Sequence, residues 1–205
     1  MFLLNNSKKY NLLIYGCGSI GSRHLESSLK SYLNINIFIY DINFTSYNKI
    51  SKLINNEVVK NKNIKFIKNF KTYNKFDLII LATPAFNRYK IIKEISSKII
   101  FKNIVIEKIG FQSLEEYNNI KKLFKKKLIK SWINCPRRLH STYIKIKKLI
   151  SKHELIEVSV KGGDWNFSSN LIHFIDLFCY ITGNNKLNLK SYSFGKIVKS
   201  KRSGY

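Results

Sequence analysis

A glycine-rich segment near the start of the chain has the spacing of a phosphate-binding loop. Gly16, Gly18 and Gly21 form a G-x-G-x-x-G pattern between an apolar segment and a segment with helical periodicity. In such a loop the first glycine allows a tight turn, the second lets the backbone approach a pyrophosphate, and the third lets the helix pack closely on the strand. The amides of Ser19 and Ile20, where the helix begins, would face the phosphates. The pattern predicts a dinucleotide site, although a glycine loop also serves as a plain turn.

An acidic residue lies where a site of this kind binds a ribose. Asp41 comes twenty residues after Gly21, at the end of a second apolar segment, Ile35–Tyr40. Its carboxylate would accept hydrogen bonds from the ribose hydroxyls and would repel a 2′-phosphate. We therefore expect NAD to be preferred over NADP.

Strands and helices that alternate through the first two-thirds of the chain must position these residues. The alternation is typical of a Rossmann-type, doubly wound parallel sheet (α/β), and the later pattern indicates a partial α+β domain with a largely antiparallel sheet. We predict an NAD(P)-binding domain over residues 1–130 and an incomplete substrate or oligomerisation domain over 131–205. The predicted strands are 12–15, 35–40, 64–67, 77–82, 104–106, 128–133, 155–161 and 187–198, and the main predicted helices are 47–54, 86–99, 141–150 and 169–181.

Polar residues follow the other predicted strands of the first domain. Thr83 and Pro84 come after one strand, Glu107 and Lys108 end the next, and Asn134 follows the one after that. Ligands of parallel α/β sheets bind beyond the carboxyl ends of the strands. We therefore expect one crevice to collect these residues together with the glycine loop.

The composition argues against several other classes of protein. The chain has 205 residues, of which 44% are hydrophobic, enough for a packed core. No apolar run approaches the ~18 residues of a membrane span. The net charge is +25, but 32 of the 37 basic residues are Lys, spread along the chain, and the Arg that reads bases is scarce. We expect a cytoplasmic protein with no specific nucleic-acid partner and no membrane partner.

The cysteines and histidines show no metal-ligand or disulfide pattern. Cys17, Cys135 and Cys179 are odd in number and lack C-x-x-C spacing, and the four histidines are not spaced as metal ligands. We expect reduced thiols and no bound metal.

Taken in order, these motifs resemble the Gfo/Idh/MocA family of oxidoreductases. The resemblance rests on residues 16–24, 82–84 and 107–108, on Asn134 with Arg137, and on His173 with Asp176. It implies an NAD(P)-dependent enzyme that moves hydride between the nicotinamide and a carbinol carbon of a sugar, nucleotide sugar or polyol. It also implies homo-oligomers for full-length members of the family.

The resemblance assigns catalytic roles to two residues. Lys108 would hydrogen-bond the reacting oxygen, and His173 would act as general acid and base. Hydride leaves carbon only as a proton leaves oxygen, so a base that titrates near neutral pH is required. The residues implied in cofactor binding are Gly16, Gly18, Ser19, Ile20, Gly21, Asp41, Thr83, Pro84, Glu107 and Asn134.

The chain departs from the family pattern at several of these motifs. Ile109 stands where the family has Pro, Arg88 where a His is frequent, and Ser169 where an Asp precedes the catalytic His. Asp176 could hydrogen-bond His173 in place of that acid, or it could cap neighbouring backbone.

The sequence also ends well before the family's usual length, at Tyr205. We therefore expect a C-terminally truncated chain whose second sheet is incomplete. The leading hypothesis is an NAD-dependent oxidoreductase acting on a sugar-like substrate through Lys108 and His173. The alternative is a catalytically silent, truncated dinucleotide-binding module.

Overall fold

The chain forms two compact units, Met1–Asn134 and Cys135–Tyr205. The structure is a computed structural model, and it describes residues 8–43, 50–51, 63–150, 156–162, 167–188 and 190. Within these ranges no helix has both the length and the apolar character needed to cross a membrane.

A six-stranded parallel sheet forms the centre of the first unit. Its strands are β1 (Tyr10–Tyr15), β2 (Ile35–Tyr40), β3 (Asn63–Phe66), β4 (Lys75–Leu81), β5 (Ile100–Glu107) and β6 (Lys130–Asn134). They lie in the order β3-β2-β1-β4-β5-β6, and every neighbouring pair is parallel. The strand order reverses between β1 and β4, the place where such a sheet opens a ligand crevice. The expected Rossmann-type α/β fold is confirmed.

Helices and apolar clusters cover both faces of this sheet. The helices are α1 (Ser19–Leu29), α2 (Ala85–Lys98) and α3 (Leu114–Lys127). One cluster contains Leu25 of α1 together with Leu12 and Ile14 of β1. The second cluster lies on the opposite face of the sheet. It contains residues of α2 and α3 together with Leu13, which lies between Leu12 and Ile14 on β1. Burial on both faces explains why most residues of β1, β2 and β4 are apolar rather than alternating with polar ones.

The ends of α3 follow from its sequence. The side chain of Ser113 caps the helix by accepting a hydrogen bond from the amide of Glu116 at 3.1 Å. At the other end Leu128 adopts a left-handed conformation with φ of 56°. The strand predicted to start at residue 128 therefore begins only at Lys130, because Leu128 still belongs to the helix terminus.

The second unit is helical in the residues that the structure describes. A short 3₁₀ helix, Pro136–Leu139, precedes α4 (Ser141–Ile150) and α5 (Phe167–Thr182). The strand predicted over 155–161 is wrong for residues 156–161, which form no regular element. Alternating apolar residues form a strand only beside a partner strand, and the described part of this unit contains no strand to supply one.

Two further predicted elements lie mostly outside the described residues. Of the predicted helix 47–54 only Ile50 and Ser51 are described, and both are helical. Of the predicted strand 187–198 only residues 187, 188 and 190 are described, and they form no strand.

Candidate functional site

The glycine loop connects β1 to α1 at the point where the strand order reverses. Gly16 has a φ of 85°, which favours glycine, and its amide donates to the carbonyl of Tyr40 at 2.8 Å. A Cβ on Gly16 would lie 3.0 Å from Cγ2 of Thr83, so the loop also lies against the end of β4. The first glycine is thus required by both backbone conformation and space.

The other two glycines of the motif have opposite surroundings. A Cβ added to Gly21 would lie 2.0 Å from the carbonyl oxygen of Gly16, so only glycine lets α1 approach the loop this closely. A Cβ added to Gly18 would meet no atom within 4 Å. The absence of a side chain at Gly18 therefore serves no contact within the described part of the chain, and it leaves room for a ligand.

The start of α1 is suited to binding an anion. Gly18 is the N-cap and makes no side-chain cap, and the first turn, which includes Ser19 and Ile20, contains no acidic residue. Amide groups at the start of a helix carry partial positive charge and lack partners within the helix. The loop and helix together form a backbone cradle of the kind that binds phosphates.

Asp41, just beyond β2, is hydrogen-bonded to the backbone at both carboxylate oxygens. Oδ2 accepts from the amide of Cys17 at 2.6 Å, and Oδ1 accepts from the amide of Asn43 at 2.7 Å. Asp41 thus fixes the glycine loop directly. A carboxylate has about four acceptor positions, so acceptor capacity remains for ribose hydroxyls.

The thiol of Cys17 is not activated by this environment. Burial, followed by the nearby charge of Asp41, raises the pKa of Cys17 to about 12. A thiol with this pKa stays protonated at neutral pH and is a poor nucleophile. Cys17 is therefore a small buried residue of the loop.

Thr83 and Pro84 lie between β4 and α2, next to the glycine loop. The amide of Ala82 donates to the carbonyl of Tyr15 at 2.9 Å, so the end of β4 is held beside the end of β1. Among the described residues the buried hydroxyl Oγ1 of Thr83 has no hydrogen-bond partner. Such a group costs free energy unless a ligand or water satisfies it, so its position beside the loop favours a polar ligand there.

Glu107 ends β5 and joins three elements through its side chain. Its Oε1 lies 2.8 Å from Nε2 of His24 on α1 and 2.5 Å from the amide nitrogen Nδ2 of Asn134 at the end of β6. Burial opposes ionisation of Glu107, but these hydrogen bonds and the charge of Arg88 outweigh it and lower its pKa. Glu107 and Asn134, both predicted at the cofactor site, are therefore bound to each other.

Lys108 comes directly after β5, between Glu107 and a peptide bond to Ile109 that is cis. The residue is half-buried at the carboxyl end of the sheet. This is the edge of the sheet that also contains the glycine loop, Asp41 and Thr83. The structure thus brings the predicted cofactor residues and Lys108 to one edge of the first unit.

Arg88, in the first turn of α2, is a component of this edge whose role the sequence did not reveal. It is only 3% exposed. Its Nε and Nη2 donate to the carbonyl of Thr83 at 2.9 and 2.5 Å, and its Nη1 donates to the carbonyls of Glu107 and Ile109. The only sequence signal was that Arg88 stands where the resembled family frequently has His.

His173 belongs to the second unit, where it is half-buried on α5. Ser169 lies on the same helix. Asp176, three residues after His173, accepts hydrogen bonds from Nε of Arg138 at 3.0 Å and from Nη2 of the same side chain. Arg138 is therefore a partner of the Asp176 carboxylate that the sequence did not indicate.

The parallel sheet in this strand order, with a glycine loop between β1 and α1, defines a Rossmann-type dinucleotide-binding fold. No protein-family model matches the sequence, and no curated protein matches it. Solved structures do share the fold. One is a myo-inositol 2-dehydrogenase from Lactobacillus plantarum, with a TM-score of 0.66, 17% identity, and coverage of 86% of this chain and 57% of that one.

Two further solved structures are similar to the same degree. An NAD-binding protein from Listeria innocua has a TM-score of 0.64 and 18% identity, with 85% of this chain and 55% of that chain covered. A WlbA dehydrogenase from Bordetella pertussis, in complex with NADH and UDP-GlcNAcA, has a TM-score of 0.64 and 15% identity, with 85% and 58% covered. The dehydrogenases among these neighbours are of the Gfo/Idh/MocA type, so the expected likeness is confirmed at the level of the fold. The chain spans just over half of the length of these proteins.

Proposed function

We propose that this chain binds NAD at the carboxyl edge of its parallel sheet, and that the protein is an oxidoreductase acting on a sugar-like alcohol. The observation that carries the proposal is the contrast between two glycines. Gly21 is required by packing within the protein. Gly18 instead borders open space, and the absence of a side chain there leaves room for the phosphates of a ligand. The unpartnered hydroxyl of Thr83 beside the same loop adds a polar group that a ligand would satisfy.

The residues at this edge fit the parts of a dinucleotide. The backbone amides at the start of α1 would hold the pyrophosphate, and the remaining acceptor positions of Asp41 would bind the ribose hydroxyls. The negative charge of Asp41 disfavours a second phosphate on that ribose, which supports NAD rather than NADP. Glu107 and Asn134 would act by holding the end of β5 in place, since their side chains bind each other.

The chemistry of such a cofactor is to accept or return a hydride at its nicotinamide ring. Lys108 would hydrogen-bond the reacting oxygen of the substrate and stabilise the negative charge that develops on it. His173 would take the hydroxyl proton as the substrate is oxidised and return it in the reverse direction. On this proposal the first unit provides the cofactor site and Lys108, and His173 belongs to the second unit.

The class of substrate is inferred from the structural neighbours. Three of them carry the name of an inositol dehydrogenase, and two WlbA structures contain UDP-GlcNAcA. We therefore propose a polyol, sugar or nucleotide sugar with a reacting carbinol carbon.

A catalytically silent dinucleotide-binding module is the second candidate. Asp176 is bound to Arg138, and Ser169 replaces the acid that the resembled family has before its catalytic His. On this reading cofactor binding persists and turnover is absent.

Titration with NADH, followed by its fluorescence, tests the binding step with the variant Gly18→Ala. Because a Cβ at Gly18 meets no protein atom, we expect the variant to unfold at the wild-type temperature and to bind NADH about ten-fold or more weakly. Gly183→Ala in the second unit is the control for NADH affinity, since its added Cβ also meets nothing; its φ of 72° strains any side chain, so this variant alone should lose stability. Wild-type affinity in Gly18→Ala would contradict the proposed site.

A further inference from the structure

A buried arginine connects the two strand-end loops that flank the candidate site. Arg88 lies on α2, yet its hydrogen bonds go to the carbonyl of Thr83 after β4 and to the segment 107–110 at the end of β5. These contacts are 5 to 22 residues away in sequence. The guanidinium group therefore joins two loops that no backbone ladder connects beyond Leu81 and Ile106.

The number and direction of the hydrogen bonds that the Arg88 side chain donates explain why arginine suits this position. All three guanidinium nitrogens contact carbonyl oxygens, and Nη1 reaches three of them, with the oxygen of Gly110 at 3.4 Å. Lysine has one nitrogen, and a neutral histidine has a single N–H, so neither can span both loops. A buried cation also needs compensation, which the carbonyl dipoles and the nearby carboxylate of Glu107 supply.

The position of Lys108 within this arrangement gives the contacts a functional meaning. Lys108 lies between Glu107 and Ile109, and both of their carbonyl oxygens accept from the same Nη1. The backbone on either side of Lys108 is thus fixed to one rigid, planar group. That group is fixed in turn to Thr83, whose Cγ2 lies where it would be 3.0 Å from a Cβ on Gly16, close beside the glycine loop.

We propose that Arg88 is a positioning residue that sets the backbone of Lys108 relative to the cofactor loop. The inference deepens the proposed function and rests on the role of Lys108 in it. Arg88 itself touches neither substrate nor cofactor in this proposal; it acts through the carbonyls on both sides of Lys108.

Amide hydrogen exchange measured by mass spectrometry on the full chain tests the positioning step without a substrate. In Arg88→Lys and Arg88→Ala we expect residues 107–113 to exchange about ten-fold or more faster, with exchange in α1 and α3 unchanged. Methylguanidinium, but not methylammonium, should restore slow exchange in Arg88→Ala. Lys90→Met, which removes an exposed positive charge from the same helix, should exchange as the wild type does.

Three results would overturn the proposal. One is wild-type exchange at 107–113 in both Arg88 variants, another is equally faster exchange throughout the first unit, and the third is failure of methylguanidinium to protect the segment. If Arg88→Ala does not fold, Arg88→Lys decides the question alone. If the wild-type protein binds no NADH, the proposed function is contradicted, but the exchange experiment still tests whether Arg88 holds residues 107–113 in place.

Turnover provides a second readout where the wild type is active on a sugar. Arg88→Lys should lower kcat about ten-fold or more and change the Kd for NADH by less than about three-fold, because it moves Lys108 rather than the phosphate cradle. Equal losses in kcat and NADH affinity would show general damage to the unit and would contradict positioning.

Discussion

Nε2 of His24 lies 2.8 Å from Oε1 of Glu107, so the helix that starts at the glycine loop is joined to the end of β5. Asn134 donates to the same oxygen from β6. One buried carboxylate thereby holds α1, β5 and β6 together immediately before Lys108. The positions of the cofactor loop and of the Lys108 segment therefore both depend on the side chain of Glu107.

The first prediction concerns the pH dependence of stability in Glu107→Gln. The folded protein holds the pKa of Glu107 below its unfolded value, so its contribution is complete above about pH 4.3 and is lost as the pH falls through the folded value. We expect the variant to be about 2 kcal/mol less stable at pH 7, because a buried charge-assisted hydrogen-bond network is weakened. The difference should narrow as the pH falls below about 4.

Urea unfolding at several pH values measures this effect, with Glu94→Gln as the control. Glu94 is exposed and forms an ion pair with Lys98 one helical turn away, so its loss should cost about 0.5 kcal/mol or less. A destabilisation of Glu107→Gln that stays constant down to pH 3 would contradict the role of the ionised carboxylate.

The second prediction separates packing from ligand binding at the glycine loop. Gly21→Ala brings a Cβ to 2.0 Å from a backbone oxygen, so α1 must move away from the loop. We expect a loss of about 2 kcal/mol or more in the free energy of unfolding, since overpacking against backbone is not easily relieved. Thermal unfolding should show the loss in Gly21→Ala and not in Gly18→Ala. Equal unfolding temperatures for the two variants would contradict the described close approach.

The third prediction concerns cofactor preference in Asp41→Asn. Removal of the negative charge should weaken NADH binding and raise the affinity for NADPH relative to NADH by about ten-fold. Fluorescence titration with both cofactors measures the ratio. Asp77→Asn is the control, because Asp77 also accepts a backbone hydrogen bond, from Asn11, but lies near the amino ends of the strands. An unchanged ratio in Asp41→Asn would remove the argument for NAD over NADP.

The fourth prediction distinguishes the two candidate functions through Lys108→Met. NADH affinity should stay within about three-fold of wild type, whereas oxidation of an active sugar or polyol should fall by a factor of about 100 or more. Lys102→Met, at an exposed position of β5, the strand that precedes Lys108, should leave both unchanged. A wild-type protein that binds NADH but oxidises no compound in a panel of inositols and nucleotide sugars would favour the silent module.

The sequence predicted the first unit well because its signals are local. Four mainly apolar segments were predicted as strands and form β1, β2, β4 and β5, and the glycine spacing predicted the loop between β1 and α1. Where neighbouring residues decide burial and turn formation, the local sequence pattern was sufficient to predict the strands and the loop.

Prediction failed where the deciding partner is distant. The alternation in residues 156–161 resembles a strand, but alternation carries no information on whether a neighbouring strand exists. The contact of His24 with Glu107 spans 83 residues, and the carbonyls bound by Arg88 are set by the tertiary arrangement of two loops. The sequence showed Arg88 only as a departure from a pattern, and its hydrogen bonds required the fold.

The two backbone bonds of Asp41 have a consequence for how this site can evolve. Its two oxygens serve the amides of Cys17 and Asn43 separately. A neutral residue that accommodates the 2′-phosphate of NADP keeps at most one of these two oxygens. Selection for NADP and selection for a stable glycine loop therefore oppose each other at this one residue. A lineage that changes its cofactor would therefore need a second, compensating substitution that gives the amide of Cys17 a new acceptor, and the two changes would be found together.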